Sequence, residues 1–198
     1  MIHHPDRQVV LSASQDATVR VWNYENEEKV SQNRFKLHSD AITDLSLHPT
    51  NDFCLTTSKD KSWIFSDLNT GLFFHILSSK CPAILGAELI RTYDDDVPSS
   101  GKFHPDGLIF ATGTSRAEVR IWDLKSSAQG NAKPATQPLR GHSGPVEAIA
   151  FSENGFHLAT ASRSNEVKLW DLRRLKNFKT LTLSESFKVR HLMFDKSG

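Results

Sequence analysis

The chain is dominated by short segments in which hydrophobic and polar residues alternate. "AITDLSLHP" (41–49) and "VEAIAFSENG" (146–155) are two examples, and each runs into a turn rich in Pro, Asn, Asp or Gly. Such alternation is typical of a β-strand with one buried face, and these turn residues supply the backbone angles of tight turns. No segment sustains the period of about 3.6 residues that would predict a helix. The pattern therefore predicts an all-β fold.

The same order of segments recurs four times. The alternating strand is followed by a strand of small and hydroxyl residues ("FCLTTS", "LIFATGT", "HLATAS"), an aromatic-ended strand and a less regular fourth strand ("FFHILSS", "FKTLTL"). Alignment on the strand-ending aromatic residue makes Trp22, Phe65, Trp122 and Trp170 equivalent, with spacings of 43, 57 and 48 residues. Four short antiparallel strands in about 45 residues make one blade of a β-propeller.

Each unit carries polar residues that could fasten its strands together. A buried imidazole, hydroxyl or indole N–H without a partner costs about 1–3 kcal/mol, and linking the three to a turn carboxylate satisfies them together. We call this predicted network the blade lock. Its candidates are Ser12 or Ser14 with Asp16 and Trp22; His38, Thr56 or Ser58, and Asp60; and His142, Thr160 or Ser162, and Trp170. The locks are incomplete, because Phe65 replaces an indole and Arg116 and Ser164 replace carboxylates.

The four phased units resemble the WD-repeat β-propeller family over essentially the whole chain. The resemblance implies about four blades of a seven-bladed propeller. Blade units are expected at roughly 1–36, 37–79, 101–140 and 141–184, with the start of a further blade at 185–198. Because the chain begins and ends inside a blade, we expect a piece of a longer propeller; a self-closing four-bladed propeller is the alternative.

An inserted loop is predicted at residues 80–100, because Pro98 to Gly101 interrupt the alternation expected before Phe103. Within it, the three consecutive aspartates at 94–96 could form an acidic docking or metal motif. A solvated loop is the simpler interpretation.

Several stretches are more specific than the family pattern: "KLHSDAITDLSLHPTNDF", "FHPDGLIFATGT", "AIAFSENGFHLATA" and "VKLWDLRRLKNFKTL". They resemble the WD-repeat region of the pre-mRNA-processing factor 19 family, the U-box ubiquitin ligases of the spliceosome. The resemblance implies a nuclear, non-catalytic scaffold that recruits ubiquitination substrates and proteins of the spliceosome and its nineteen-type complex, in pre-mRNA splicing and DNA repair.

The same resemblance implies a full-length parent that is a homotetramer and an E3 ubiquitin transferase through a U-box. No U-box or coiled-coil residue is among these 198. A generic WD-repeat adaptor of another complex is the alternative function. A third hypothesis is an enzyme that uses the propeller as its scaffold, because fold alone does not decide function.

Composition narrows the function. The formal net charge is +1, so no global field favours nucleic acid or membrane binding, and no apolar run approaches the roughly 20 residues that cross a bilayer. Cys54 and Cys81 form no CxxC pair, which favours a reducing compartment. The nine histidines lack metal-ligand spacing, and no GxSxG elbow or phosphate loop is present. We therefore expect no catalytic residue, metal or cofactor.

Two groups of residues are candidates for partner contacts. Gln15, Lys59, Arg116 and Arg163 lie in turns beside the carboxylate position, so we expect them to ring one face and suit acidic or phosphorylated segments. A second group, Arg173, Arg174, Lys176 and Lys179, lies near Phe178 and Phe187 in a region (163–198) of net charge +5, and could make a weak contact with RNA. Solvated turns are the simpler interpretation of both groups.

Overall fold

A computed structural model of the chain describes residues 1–25, 31–36, 38–68, 96–124, 134–184 and 187–195. Within these ranges the strands form four antiparallel sheets, and strands consecutive in sequence are neighbours in each sheet. The prediction of an all-β chain with about four propeller blades is confirmed. No helix in these ranges is long and apolar enough to span a membrane.

The four sheets are numbered as blades 1 to 4. Blade 1 contains β1 (Ile2–His3), β2 (Val9–Ala13), β3 (Thr18–Asn23) and β4 (Ser31–Lys36). Blade 2 contains β5 (Ile42–Leu47), β6 (Phe53–Ser58) and β7 (Trp63–Asp67). Blade 3 contains β8 (Pro98–Phe103), β9 (Ile109–Thr114) and β10 (Val119–Asp123). Blade 4 contains β11 (Val146–Phe151), β12 (His157–Ser162), β13 (Glu166–Asp171) and β14 (Lys176–Thr182).

An outer segment extends the sheet of blade 3 only in part. In blade 3, Leu139 exchanges two backbone hydrogen bonds of 2.8 and 3.1 Å with Val119, and the Ala135 amide donates to the Ile121 carbonyl at 2.7 Å. The fourth strand predicted from "FFHILSS" and residues 80–95 of the predicted insertion lie outside the described residues.

The predicted end of the inserted loop is wrong, because residues 98–100 belong to strand β8. Small residues are required in this strand and in its neighbour β9 because the surrounding side chains lie close to both. A Cβ on Gly101 would lie 2.9 Å from Thr57 Cγ2, and one on Gly113 of the neighbouring strand would lie 2.6 Å from Val146 Cγ1. Pro98 is tolerated as the first residue of the strand, where a bulge follows. The absence of alternation therefore marks a tightly enclosed strand and not a loop.

The innermost strands of blades 2, 3 and 4 lie side by side. Thr43 of β5 donates a hydrogen bond of 2.8 Å to the Pro98 carbonyl of β8, and Ser99 of β8 donates to the Val146 carbonyl of β11. Blades 2, 3 and 4 therefore meet along their first strands, as in a propeller.

The hydrophobic core is divided into clusters that lie between consecutive blades. Between blades 1 and 2 it contains Leu11, Val19, Val21, Ile42, Leu45, Cys54 and Ile64. Between blades 2 and 3 it contains Leu55, Trp63, Phe65, Phe103, Phe110, Trp122 and Leu124. Between blades 3 and 4 it contains Ala111, Val119, Ile121, Leu139, Val146, Ile149, Leu158 and Trp170. Val189 and Leu192 cover a fourth cluster on the far side of blade 4. Inter-blade packing therefore supplies the buried apolar surface that stabilises the fold.

Histidine side chains add a hydrogen bond across each described junction between blades. His4 Nε2 donates to the Asn51 carbonyl at 2.7 Å, and the corresponding bonds join His48 to Gly107 (3.0 Å) and His104 to Gly155 (2.9 Å). We call these bonds histidine straps. Because a carbonyl oxygen can only accept a hydrogen bond, Nε2 carries a proton in each of these rings. The sequence places these histidines in turns but does not reveal their partners.

Candidate functional site

The turn between the second and third strands has the same backbone in all four blades. Its fourth residue has a left-handed conformation in each case: Ala17, Lys61, Ala117 and Asn165, with φ of 65°, 69°, 65° and 61°. The amide of that residue donates to the carbonyl three residues earlier at 3.2–3.3 Å. These turns therefore present equivalent residues at one end of every blade.

The blade 4 lock uses Thr160, one of the two hydroxyls left open by the sequence. His142 Nε2 lies 2.7 Å from Thr160 Oγ1, and Trp170 Nε1 donates to the same oxygen at 2.8 Å. All three side chains are buried. Ser162 is also buried, but its hydroxyl lies 2.7 Å from Ser164 Oγ instead. The connection therefore runs from imidazole to indole through one hydroxyl.

The blade 2 lock has a carboxylate in the place that sequence alignment indicated. His38 Nε2 lies 2.9 Å from Thr56 Oγ1, and His38 Nδ1 lies 3.0 Å from Asp60 Oδ2. Burial alone would raise the pKa of Asp60, but hydrogen bonds from His38, Ser62 and the Ser39 amide hold that pKa well below its ordinary value. Asp60 is therefore a charged acceptor buried inside the blade.

The alignment of Phe65 with the strand-ending tryptophans is wrong by one residue. Thr56 pairs with Ile64, as Thr112 pairs with Arg120 and Thr160 with Lys168. The position equivalent to Trp22, Trp122 and Trp170 is therefore Ser66, opposite Cys54. Because a one-residue shift moves a strand residue to the other face, Phe65 instead packs against Phe53 and Phe103.

Blades 1 and 3 retain only the tryptophan part of the lock within the described residues. Trp22 Nε1 donates to Ser12 Oγ at 2.7 Å, and Trp122 Nε1 donates to Thr112 Oγ1 at 2.8 Å. Thr112 was missed by the sequence analysis, although it lies ten residues before its tryptophan, as Ser12 and Thr160 do. That spacing is the signal that would have found it.

Asp16 belongs to the turn of blade 1 and does not contact Trp22. Its carboxylate accepts hydrogen bonds from the Thr18 hydroxyl (2.5 Å) and from Arg20 Nη2 (2.6 Å). The Thr18 hydrogen bond is the largest cause that lowers the pKa of Asp16 well below its ordinary value. This carboxylate therefore stabilises the turn and the start of β3.

A carboxylate from an unexpected place serves the blade 3 turn. Asp96 is 2% exposed, and its Oδ1 accepts hydrogen bonds from the Ser115 hydroxyl at 2.8 Å and the Arg116 amide at 3.1 Å. The solvated-loop interpretation is wrong for Asp96, while Asp94 and Asp95 lie outside the described residues. No local sequence signal distinguishes Asp96, because its partners lie about twenty residues away.

The blade 4 lock leaves one imidazole nitrogen unsatisfied. His142 Nδ1 is buried without a hydrogen-bond partner among the described residues, and the nearest carboxylate oxygen, Glu166 Oε2, is 3.8 Å away. Burial lowers the pKa of His142 to about 4, with a smaller contribution from Lys168 that Glu166 opposes. His142 is therefore neutral near pH 7.

Three of the four predicted partner-binding residues line one cavity of about 740 Å³. Gln15, Lys59 and Arg163 occupy the same position in the turns of blades 1, 2 and 4, and Lys188 and Arg190 also line this cavity. The corresponding residue of blade 3 is Ser115, and Arg116 is not part of the lining. The structure therefore brings together Gln15, Lys59 and Arg163 and leaves Arg116 outside.

The cavity is predominantly cationic. Among the described residues that line it, Glu147 is the one acidic residue, and it accepts a hydrogen bond of 2.6 Å from Arg163 Nε. Lys59, Lys188 and Arg190 form no ion pair with the described part of the chain. The mouth of the cavity, defined by Lys59, Arg163, Lys188 and Arg190, therefore carries an uncompensated positive charge that favours anionic groups.

The second cationic group lies at the opposite end of blade 4, where β13 turns into β14. Arg173, Arg174, Lys176 and Lys179 are all exposed, and Arg173 donates to both oxygens of Asp171 at 3.1 and 3.0 Å. In the described ranges, no group of three or more His, Cys, Asp or Glu side chains could hold a metal ion.

Comparison with known proteins agrees with the repeat. A family model for the WD domain, G-beta repeat, matches residues 1–23, 29–65, 88–123 and 133–171. Pre-mRNA-processing factor 19 of Homo sapiens and of Bos taurus are each 46% identical over all 198 residues, and that of Caenorhabditis elegans is 39% identical over 198 residues. The chain spans about a third of the length of these relatives, 35% to 36%. The predicted resemblance to the WD repeats of pre-mRNA-processing factor 19 is confirmed, and the chain belongs to the WD-repeat family.

Proposed function

We propose that this chain is the non-catalytic, partner-recruiting scaffold of a nuclear ubiquitin ligase that acts in pre-mRNA splicing and DNA repair. Support comes from its similarity, over its whole length, to proteins named pre-mRNA-processing factor 19. The arrangement of short strands and tight turns also suits a rigid display of loops, which is how repeat scaffolds bind partners.

The main structural support for this proposal is the cationic cavity mouth, formed by Lys59, Arg163, Lys188 and Arg190. These cations come from the turns of two blades and from the segment beyond blade 4, so one acidic partner segment could contact several of them together. Arg and Lys bind carboxylates and phosphates through charge-assisted hydrogen bonds. The expected partners are therefore spliceosomal proteins and ubiquitination substrates that present acidic or phosphorylated segments.

The ligase chemistry itself is assigned to other parts of a longer parent protein. By resemblance, a U-box would recruit the conjugating enzyme, and a coiled coil would form a homotetramer within the nineteen-type complex. The present chain would then transfer no ubiquitin when supplied with a conjugating enzyme. Transfer by these 198 residues alone would overturn the non-catalytic part of the proposal.

The binding face is tested by affinity capture from nuclear extract, with mass spectrometry of the captured proteins. The test variant is Lys59→Glu plus Arg163→Glu, which reverses two charges at the cavity mouth. The matched control, Arg34→Glu plus Lys36→Glu, makes the same charge change at two exposed positions of β4. We expect spliceosomal proteins to be lost with the first variant and retained with the second.

Equal recovery of every spliceosomal protein by both variants would remove the cavity mouth as the binding face. Capture of an unrelated complex, with no spliceosomal protein, would favour the alternative of a generic WD-repeat adaptor. Thermal unfolding of both variants checks that the charge changes leave the fold intact.

A further inference from the structure

The end of blade 4 that lies away from the cavity mouth carries exposed aromatic rings among cations. Phe156 is 49% exposed and Phe178 is 55% exposed, although large aromatic side chains are usually well covered. The Phe178 ring centroid lies 5.4 Å from that of His157, and the Arg173 guanidinium lies 5.0 Å from the Phe156 centroid. Phe156 and Phe178 are therefore two exposed rings at the same end of blade 4, each beside a second side chain.

The charges around these rings are uncompensated. Arg174, Lys176 and Lys179 are exposed and form no ion pair with the described part of the chain. Asp171 is the one acidic residue between positions 169 and 182, and it is already bound by both Arg173 nitrogens. A net charge of three cations therefore remains beside two exposed rings, one of which already lies under the Arg173 guanidinium. We call Phe156, Arg173, Arg174, Lys176, Phe178 and Lys179 the basic aromatic patch.

We propose that the basic aromatic patch binds single-stranded RNA. Unpaired bases stack on aromatic faces regardless of sequence, while Lys and Arg neutralise the phosphates that connect those bases. Strand β14 supplies Lys176, Phe178 and Lys179 within four residues, at a bulge where Phe178 has no pairing partner in β13, so cations precede and follow the ring in sequence.

The exposure of the patch suits the backbone of a nucleic acid. All seven residues of β14 are exposed, and none of the patch residues lines the cavity of blades 1 to 4. An exposed strand that carries cations and an aromatic ring suits a charged backbone that tracks across it. The patch also lies at the opposite end of blade 4 from Arg163, so RNA and an acidic protein segment could bind together.

The test measures fluorescence anisotropy of a labelled twelve-nucleotide oligouridine with the full chain at several salt concentrations. Phe178→Leu keeps an apolar side chain but removes the flat ring, and we expect binding to weaken at least about fivefold. Phe156→Leu should weaken it in the same direction. Lys176→Gln plus Lys179→Gln should reduce the slope of log Kd against log salt by about 1.4, because each phosphate contact contributes about 0.7.

The matched control is Lys36→Gln, which removes an exposed cation from β4, the equivalent outer strand of blade 1. It should leave RNA binding unchanged. Equal weakening by Lys36→Gln, no binding to the oligouridine, or equally tight binding of a twelve-base-pair RNA duplex would overturn the proposal. So would binding of a twelve-residue polyglutamate peptide with the same dependence on Phe178, because the patch would then recognise acidic protein segments. Each result is independent of capture through the cavity mouth.

Discussion

Ser164→Asp should stabilise the chain by completing the blade 4 lock. In blade 2 the carboxylate of Asp60 lies 3.0 Å from His38 Nδ1, whereas His142 Nδ1 has no hydrogen-bond partner among the described residues and Glu166 lies 3.8 Å away. A buried polar atom without a partner costs about 1–3 kcal/mol. Recovering part of that cost should raise the free energy of unfolding by about 1 kcal/mol, or Tm by about 2–4 °C for a chain of this size.

The assay is thermal and urea unfolding of the full chain, followed by tryptophan fluorescence. The reverse exchange, Asp60→Ser, serves as the matched variant, because it removes the same carboxylate from the blade that has it. We expect Asp60→Ser to lower the free energy of unfolding by about 1–3 kcal/mol. If Asp60→Ser destabilises the chain while Ser164→Asp leaves Tm unchanged or lowers it, blades 2 and 4 do not share one network and the reasoning is refuted.

Three further predictions follow from the same turns and locks. The pKa of His142 is about 4 in the fold, below its unfolded value of about 6.5, so the free energy of unfolding should fall as pH decreases from 6.5 towards 4. Urea unfolding should show that this contribution is at most about 2 kcal/mol between pH 7 and 5, and His142→Gln should abolish it. Ala117→Gly should raise Tm by relieving a left-handed residue, worth about 0.5–1 kcal/mol, and Tm unchanged or lowered would contradict this. Gly155→Ala should cost at least about 2 kcal/mol in urea unfolding, because φ is 74° and the new Cβ would overlap the His104 ring. An unchanged free energy of unfolding would count against the histidine strap.

The fold could be predicted because its determinants are local. Alternation, turn residues and a repeated aromatic position all recur within each unit, so one unit supports the interpretation of the next. Strand β8 was missed for the opposite reason. Its Ser and Gly residues are needed because neighbouring strands leave no room for larger side chains. The sequence of this strand alone does not indicate that crowding.

The lock could be predicted only where its partners lie at fixed spacings. Thr160 and Trp170 are ten residues apart, and this spacing recurs at Ser12 and Thr112. Phe65 was misaligned because an aromatic residue beside the true position appeared to be the better match, while the hydroxyl spacing from Thr56 indicates Ser66. Contacts between blades could not be predicted, since the His104 partner lies 51 residues away.

The residues of the blade lock vary from blade to blade, whereas the contacts between blades recur at every described junction. This difference indicates that contacts between blades specify the fold more than the lock does. Among the described residues, blade 2 has imidazole and carboxylate, blade 4 has imidazole and indole without a turn carboxylate, and blade 3 has the hydrogen bond from the Trp122 indole to Thr112. Every described junction, by contrast, has both an apolar cluster and a histidine strap. Because repeat proteins gain much of their stability from contacts between neighbouring units, loss of one lock element can be tolerated in a blade that both neighbours hold. The turns at the blade ends are then free to vary, which is why Gln15, Lys59, Ser115 and Arg163 can occupy one structural position with four different side chains.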